Sequence, residues 1–164
     1  MKCLFAPIAV VAALALASCG SSSTLSSEQF TGLQDQGKQF AKSLEAVSAD
    51  ATACAAGASA GKGAQTPPDV NIVKTCLASA LVKAQASLTK VIDYTDNLAG
   101  EVDGTCSTDL KALSAAMTDV NAKFAKAEAS ARKLDLVKMQ DNLSGITSDT
   151  ITNAGAAAEK ACKS

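Results

Sequence analysis

The 164-residue sequence contains no histidine and no tryptophan, and only one tyrosine, four phenylalanines and three prolines. The missing histidine excludes haem ligation through that residue, most catalytic zinc sites and the commonest general base. A formal net charge of -1 leaves no basic footprint for nucleic acid, and Tyr94 with Phe30, Phe40 and Phe124 offers few rings on which bases could stack. No Cys-x-x-Cys is present for thiol redox chemistry, and the Glu-x-x-His motifs of ferritin-like centres cannot exist. No cofactor, no metal, no nucleic-acid partner and no catalytic residue is therefore expected. What the chain does have is apolar residues, 48% of the total, enough for the core of a single domain.

The apolar residues begin at once. After Lys2, residues 3–18 carry no charge and include Leu4, Phe5, Ile8, Val10, Val11, Leu14 and Leu16. A permanent membrane span takes about 20 residues; this shorter run has the length of the hydrophobic region of an export signal. Leu16-Ala17-Ser18-Cys19-Gly20 follows directly. In this segment the chain resembles the bacterial lipoprotein family, whose lipobox sets two small residues between a leucine and the cysteine that receives the lipid. The resemblance implies that residues 1–18 are a signal peptide, removed together with Cys3. It also implies that Cys19 becomes an acylated first residue carrying palmitate-type chains. Three such chains would hold the protein firmly at a membrane, each buried methylene contributing ~0.8 kcal/mol. An aspartate after the cysteine would retain an enteric lipoprotein at the inner membrane. Gly20 stands there instead, so the resemblance favours the outer membrane of a Gram-negative cell. Residues 19–26, rich in serine, read as a flexible tether, and residues 27–164 as the folded domain.

Four apolar seams with the spacing of a helix occupy that domain. The first holds Phe30, Leu33, Gly37, Phe40, Leu44, Val47, Ala51, Cys54 and Ala58, in steps of three and four like coiled-coil heptads. It predicts a helix from Ser27 to Ala60, capped by Ser26 or Ser27 with Glu28 in its first turn. Glycines 57, 61 and 63 end it, each costing roughly 1 kcal/mol relative to alanine. Thr66-Pro67-Pro68-Asp69 predicts the next start, with Thr66 as the cap and Asp69 at the third helical position. The second seam is Val70, Val73, Leu77, Leu81, Ala84, Leu88, Val91, Ile92 and Leu98, with a left-handed stop expected at Gly100. The third is Cys106, Leu110, Leu113, Met117, Val120, Phe124, Ala127, Ala131 and Leu134. The phase jumps after Leu134, where Asp135 can cap a fourth helix along Leu136, Met139, Leu143, Ile146, Ile151, Ala154 and Ala158. With no glycine or proline at that jump, one long helix from Cys106 onward is the alternative.

Short connections between four helices predict an all-α, antiparallel, up-down-up-down four-helix bundle. Cysteine spacing fits it. Cys54 and Cys76 lie equally far from Gln65, and Cys106 and Cys162 equally far from Leu134, so hairpins folded at those points bring each pair together. The two pairs would lie roughly 35 to 40 Å apart at 1.5 Å per residue, too far for crossed pairing. Disulfides Cys54–Cys76 and Cys106–Cys162 are expected, in keeping with an exported, oxidising environment.

The chemistry left to such a domain is limited. Ser87-x-x-Lys90 and Ser130-x-x-Lys133 have the serine–lysine spacing of one class of acyl-transfer enzymes, but lack its companion motifs and fall within regular helices. Asp93, Asp96, Glu101, Asp103 and Asp109 form an acidic run that matches no calcium loop. Lys62, Lys74, Lys123, Lys126, Arg132, Lys133 and Lys138 are expected toward the opposite end, making the molecule electrically polarised. The expected function is that of a lipid-anchored envelope protein, non-catalytic, acting as a binding or adaptor module for another envelope protein. The alternatives are a surface-exposed structural protein or adhesin, or a periplasmic immunity-type protein that neutralises a toxin.

Overall fold

Ser26 and Gln29 open the first helix by a reciprocal pair of hydrogen bonds. The Gln29 amide N–H donates to Ser26 Oγ (3.2 Å), and the Ser26 N–H donates to Gln29 Oε1 (2.8 Å). Two of the helix's orphan donors are satisfied by this capping box. The structure, a computed structural model, describes residues 24–59, 69–144, 146 and 148–163. The proposed signal, Cys19, Lys62, Gln65 and the Thr66-Pro67-Pro68 start signal lie outside the described residues.

Five α-helices make up the described chain: α1 (Ser27–Ser59), α2 (Val70–Glu101), α3 (Gly104–Arg132), α4 (Leu136–Ser144) and α5 (Ser148–Cys162). Leu25, just outside the capping box, packs against the core. Asp69, expected inside α2, is instead its N-cap, and its side chain accepts from the Asn71 N–H at 3.0 Å. An extended backbone with a short carboxylate is what an N-cap requires, so Asp69 needs no helical position. At its other end α2 runs past Gly100 to Glu101 and stops at Val102, whose backbone is extended (φ -121°). The left-handed glycine is Gly104 (φ 67°), at the first position of α3. Ser107 Oγ donates to the Ala99 carbonyl (2.7 Å), satisfying an oxygen that the end of α2 leaves open.

The jump after α3 is a Schellman turn. Asp135 N–H bonds to Ser130 O and Leu134 N–H to Ala131 O, both at 3.0 Å, around Leu134 in the left-handed region at φ 57°. Asp135 Oδ1 then accepts from the Lys138 N–H (3.1 Å) and starts α4. This breaks the chain between α3 and α4, so a single helix from Cys106 onward is not formed. The fourth seam is itself divided, between α4 and α5, with buried Ile146 between them. Its step from Ile146 to Ile151 is five residues, which no single helical face accommodates, and Gly145 adds a weak point.

Packing follows chain order from α1 to α4, and α5 returns to α3. α1 lies against α2, α2 against α3, and α3 against both α4 and α5. Named bonds give the directions: Asp50 meets Lys83 and Gln29 meets Glu101, so α1 and α2 are antiparallel. Asn121 meets Thr89 and Ser107 meets Ala99, so α2 and α3 are antiparallel as well. The core runs along α2 and α3, where Leu88, Leu110, Ala84 and Ala127 are wholly buried. The third seam is buried from Cys106 to Ala131 without a gap. α1 contributes less, with Leu33 and Phe40 buried and Leu44 and Val47 only partly so.

Candidate functional site: the two ends of the helical domain

Both expected disulfides are formed. Cys54 is bonded to Cys76 (Cα–Cα 5.7 Å) and Cys106 to Cys162 (Cα–Cα 4.7 Å). They lie at opposite ends, because Cys106 is in the first turn of α3 and Cys76 in the second turn of α2. Each end has its own chemistry.

At the first end, α1 begins, α2 passes into α3, and α5 ends. Gln29 Nε2 donates to Glu101 Oε2 (2.6 Å), and Tyr94 Oη donates to the Gln29 carbonyl (3.3 Å). Gly32 faces the same tyrosine: a Cβ there would meet the Tyr94 hydroxyl and lie 2.9 Å from Cζ, so a side chain at this position would displace the ring. The Lys163 ammonium sits 5.4 Å from the centre of the Phe30 ring and pairs with Glu159. Here the acidic run is placed. Asp93, Asp96, Glu101 and Asp103 are exposed and Asp109 is half-buried. Among the described residues no group of three or more potential ligands gathers in a way that could hold a metal ion.

At the second end, α2 outreaches α3. Arg132, the last residue of α3, falls opposite Ala78 by the Thr89–Asn121 register and opposite Lys74 by the Ala99–Ser107 register. The first four to eight residues of α2 therefore extend about 6 to 12 Å past α3 at 1.5 Å per residue. Burial agrees, for the first buried residue of α2 is Ala78. Along this extension Val70 (54%) and Ile72 (49%) are exposed, although Val70 has seam spacing. An open groove runs beside it, lined by Asp50, Asn71, Ile72, Thr75, Cys76, Ser79 and Lys83. An ion pair crosses from Lys83 Nζ to Asp50 Oδ2 at 2.8 Å. Around the α3–α4 turn, Leu136 (48%) and Val137 (71%) are exposed too.

The sequence holds a signal for these exposed residues. Val70 and Ile72 are two apart, and Leu136 and Val137 are adjacent, so neither pair can face one seam. Thr95 is the opposite case: a polar residue omitted from the seam but fully buried, with its hydroxyl donating to the Val91 carbonyl at 2.7 Å. That bond meets its one donor without any partner from another helix.

Lys74, Arg132, Lys133 and Lys138 stand near the second end, with acids among them. Exposed Arg132 pairs with half-buried Glu128, and exposed Lys138 with half-buried Asp135 (3.3 Å). The hydrogen bond from the Lys138 backbone N–H holds the Asp135 carboxyl below its ordinary range, aided by the Lys138 and Lys133 charges. In the two serine–lysine pairs, Ser130 Oγ donates to the Lys126 carbonyl (3.0 Å), and Lys90 is exposed on α2 while Ser87 is half-buried. Among the described residues no helix is long and apolar enough to cross a membrane. Comparison with known proteins finds no matching family model, no matching curated protein and no matching solved structure.

Proposed function

We propose that this protein is a lipid-anchored component of the bacterial cell envelope, held through Cys19, and that it acts as a non-catalytic binding or adaptor module for another envelope protein. The observation carrying this reading is the separation of the ends. α1 starts beside the chain's last residues, where Lys163 covers Phe30, so an anchor at Cys19 leaves the opposite end pointing away from the membrane. That opposite end bears Val70, Ile72, Leu136 and Val137, four of the five exposed large apolar residues among those described, which a partner would cover. The four cysteines that follow Cys19 are consumed in two bridges, so none of them requires Cys19 as a partner. Two disulfides also suit an exported chain.

In this proposal α4 and α5 together form the last rod of an up-down-up-down arrangement, running back along α3 so that Cys162 reaches Cys106. The membrane favoured by Gly20 is the outer one. The test has two arms. Cys19→Ala should release a folded, soluble domain from the membrane fraction; if that variant stays fully membrane-bound, the anchor is not at Cys19. Crosslinking of the lipidated protein should recover one stoichiometric envelope protein, and Ile72→Asp with Val137→Asp should abolish that recovery without lowering Tm. Recovery of no partner, with the domain open to external protease, would replace the adaptor reading with a surface role.

A further inference from the structure

The two disulfides differ in what surrounds them. Cys106 (1% exposed) and Cys162 (2%) belong to the continuous apolar core. Cys54 and Cys76 do not belong to it. Cys54 is covered (2% exposed), but Cys76 is half-buried and lines the open groove beside Ile72, Thr75, Ser79 and Lys83. It stands in the second turn of α2, before the first buried residue of that helix, Ala78. On the other strand of the hairpin, Cys54 is the one residue beyond Phe40 that is buried among the described side chains of α1.

We propose that Cys54–Cys76 is a reducible latch on the α1–α2 hairpin, opened by a dithiol that enters at Cys76, while Cys106–Cys162 is a permanent staple. The protein is here the substrate of thiol–disulfide exchange, and the co-reactant is a dithiol reductant of the oxidoreductase class. A thiolate of the reductant forms a bond to Cys76 Sγ as the bond to Cys54 Sγ breaks, and Cys54 leaves with the electron pair and takes up a proton. The second reductant thiol, as thiolate, attacks the reductant sulfur of the mixed disulfide, releasing Cys76 as a thiol. The reductant is oxidised to its disulfide, and two electrons and two protons end on Cys54 and Cys76. The groove gives the nucleophile access on the Cys76 side, with the Lys83 ammonium and the Asp50 carboxylate as the charges lining it. Buried Cys54 cannot be approached in this way. Once the bridge opens, the end of α1 keeps few apolar contacts, because residues 49–59 are almost all Ala, Gly, Ser and Thr. Fraying of that end uncovers the side of α2 that carries Cys76.

The experiment uses the full oxidised chain, dithiothreitol as probe, and alkylation at timed intervals followed by peptide mapping. Cys54 and Cys76 should be alkylated at least tenfold faster than Cys106 and Cys162, and hydrogen exchange should then rise in residues 48–59 while α3 stays protected. Equal rates for the two bridges, or resistance of Cys54–Cys76 until the protein unfolds, would overturn the proposal. A second measurement addresses the point of entry. The single thiol left in Cys54→Ser should react with an aromatic disulfide at least tenfold faster than the one left in Cys76→Ser; equal or reversed rates would overturn entry at Cys76.

Discussion

Where α1 begins, a disulfide joins two buried residues inside a core shared by α2, α3 and α5; at the opposite end, a second disulfide joins two helices that have outrun the rest of the domain. The difference has its origin in length and register. α2 is 32 residues and α3 29, and the two meet at Ala99 and Ser107, a register that lets the start of α2 run at least four residues past the end of α3. A helical pair without further neighbours buries little apolar area, and isolated helices in water are marginal. One bridge therefore closes a region that is packed already, while the other replaces packing that is absent.

Removing each bridge sharpens this contrast. Cys106→Ala with Cys162→Ala should cost the most, about 4 kcal/mol by loop closure over 56 residues of separation, seen as a loss of Tm for the whole domain. Cys54→Ala with Cys76→Ala removes the bridge of a shorter loop, 22 residues apart, and should mainly raise hydrogen exchange in residues 48–59 and 70–77. Equal global losses from both would show that the hairpin end is as integral as the core. Next in size, Leu110→Ala, at a site 0% exposed, should cost about 3 kcal/mol in denaturant unfolding. Ile72→Ala on the extension should stay within about 0.5 kcal/mol. Smaller still is the effect at Leu134, a branched side chain in a left-handed position suited to glycine. Leu134→Gly should stabilise by about 0.5–1 kcal/mol and Leu134→Val destabilise by a similar amount. Last, because the Asp135 carboxyl is held below its ordinary range in the folded protein, its cap on α4 is complete above that range. The cap is lost as pH falls through the lowered value. Amide exchange in α4 should accelerate in acid before exchange in α3 does, and Asp135→Asn should remove that pH dependence.

Much of this architecture was legible in the residues. The third seam, from Cys106 to Ala131, holds its period without a slip and is buried throughout, and the cysteine symmetry about Gln65 and Leu134 specified both bridges. Boundaries were harder to read. Gly100 read as a stop because glycine often ends helices, yet Ser107 and extended Val102 provide the termination one residue farther on. The split of the last rod was written in the five-residue step from Ile146 to Ile151. The two ends as candidate sites were less legible. Exposure of Val70 depends on how far α3 extends, and that is set by the turn at Leu134, a residue whose type gives no warning of a positive φ. Cys19 and the address it implies rest on the sequence, since that segment lies outside the described residues.

The packing order has a kinetic consequence. α2, α3 and α4 each dock on the helix made just before, and α5 returns one helix further back, to α3, where Cys106 and Cys162 are joined. Such a topology has low contact order and should collapse fast. The helices can be laid down one after another as the chain appears. Oxidation of Cys162 would then register that α5 has arrived on α3.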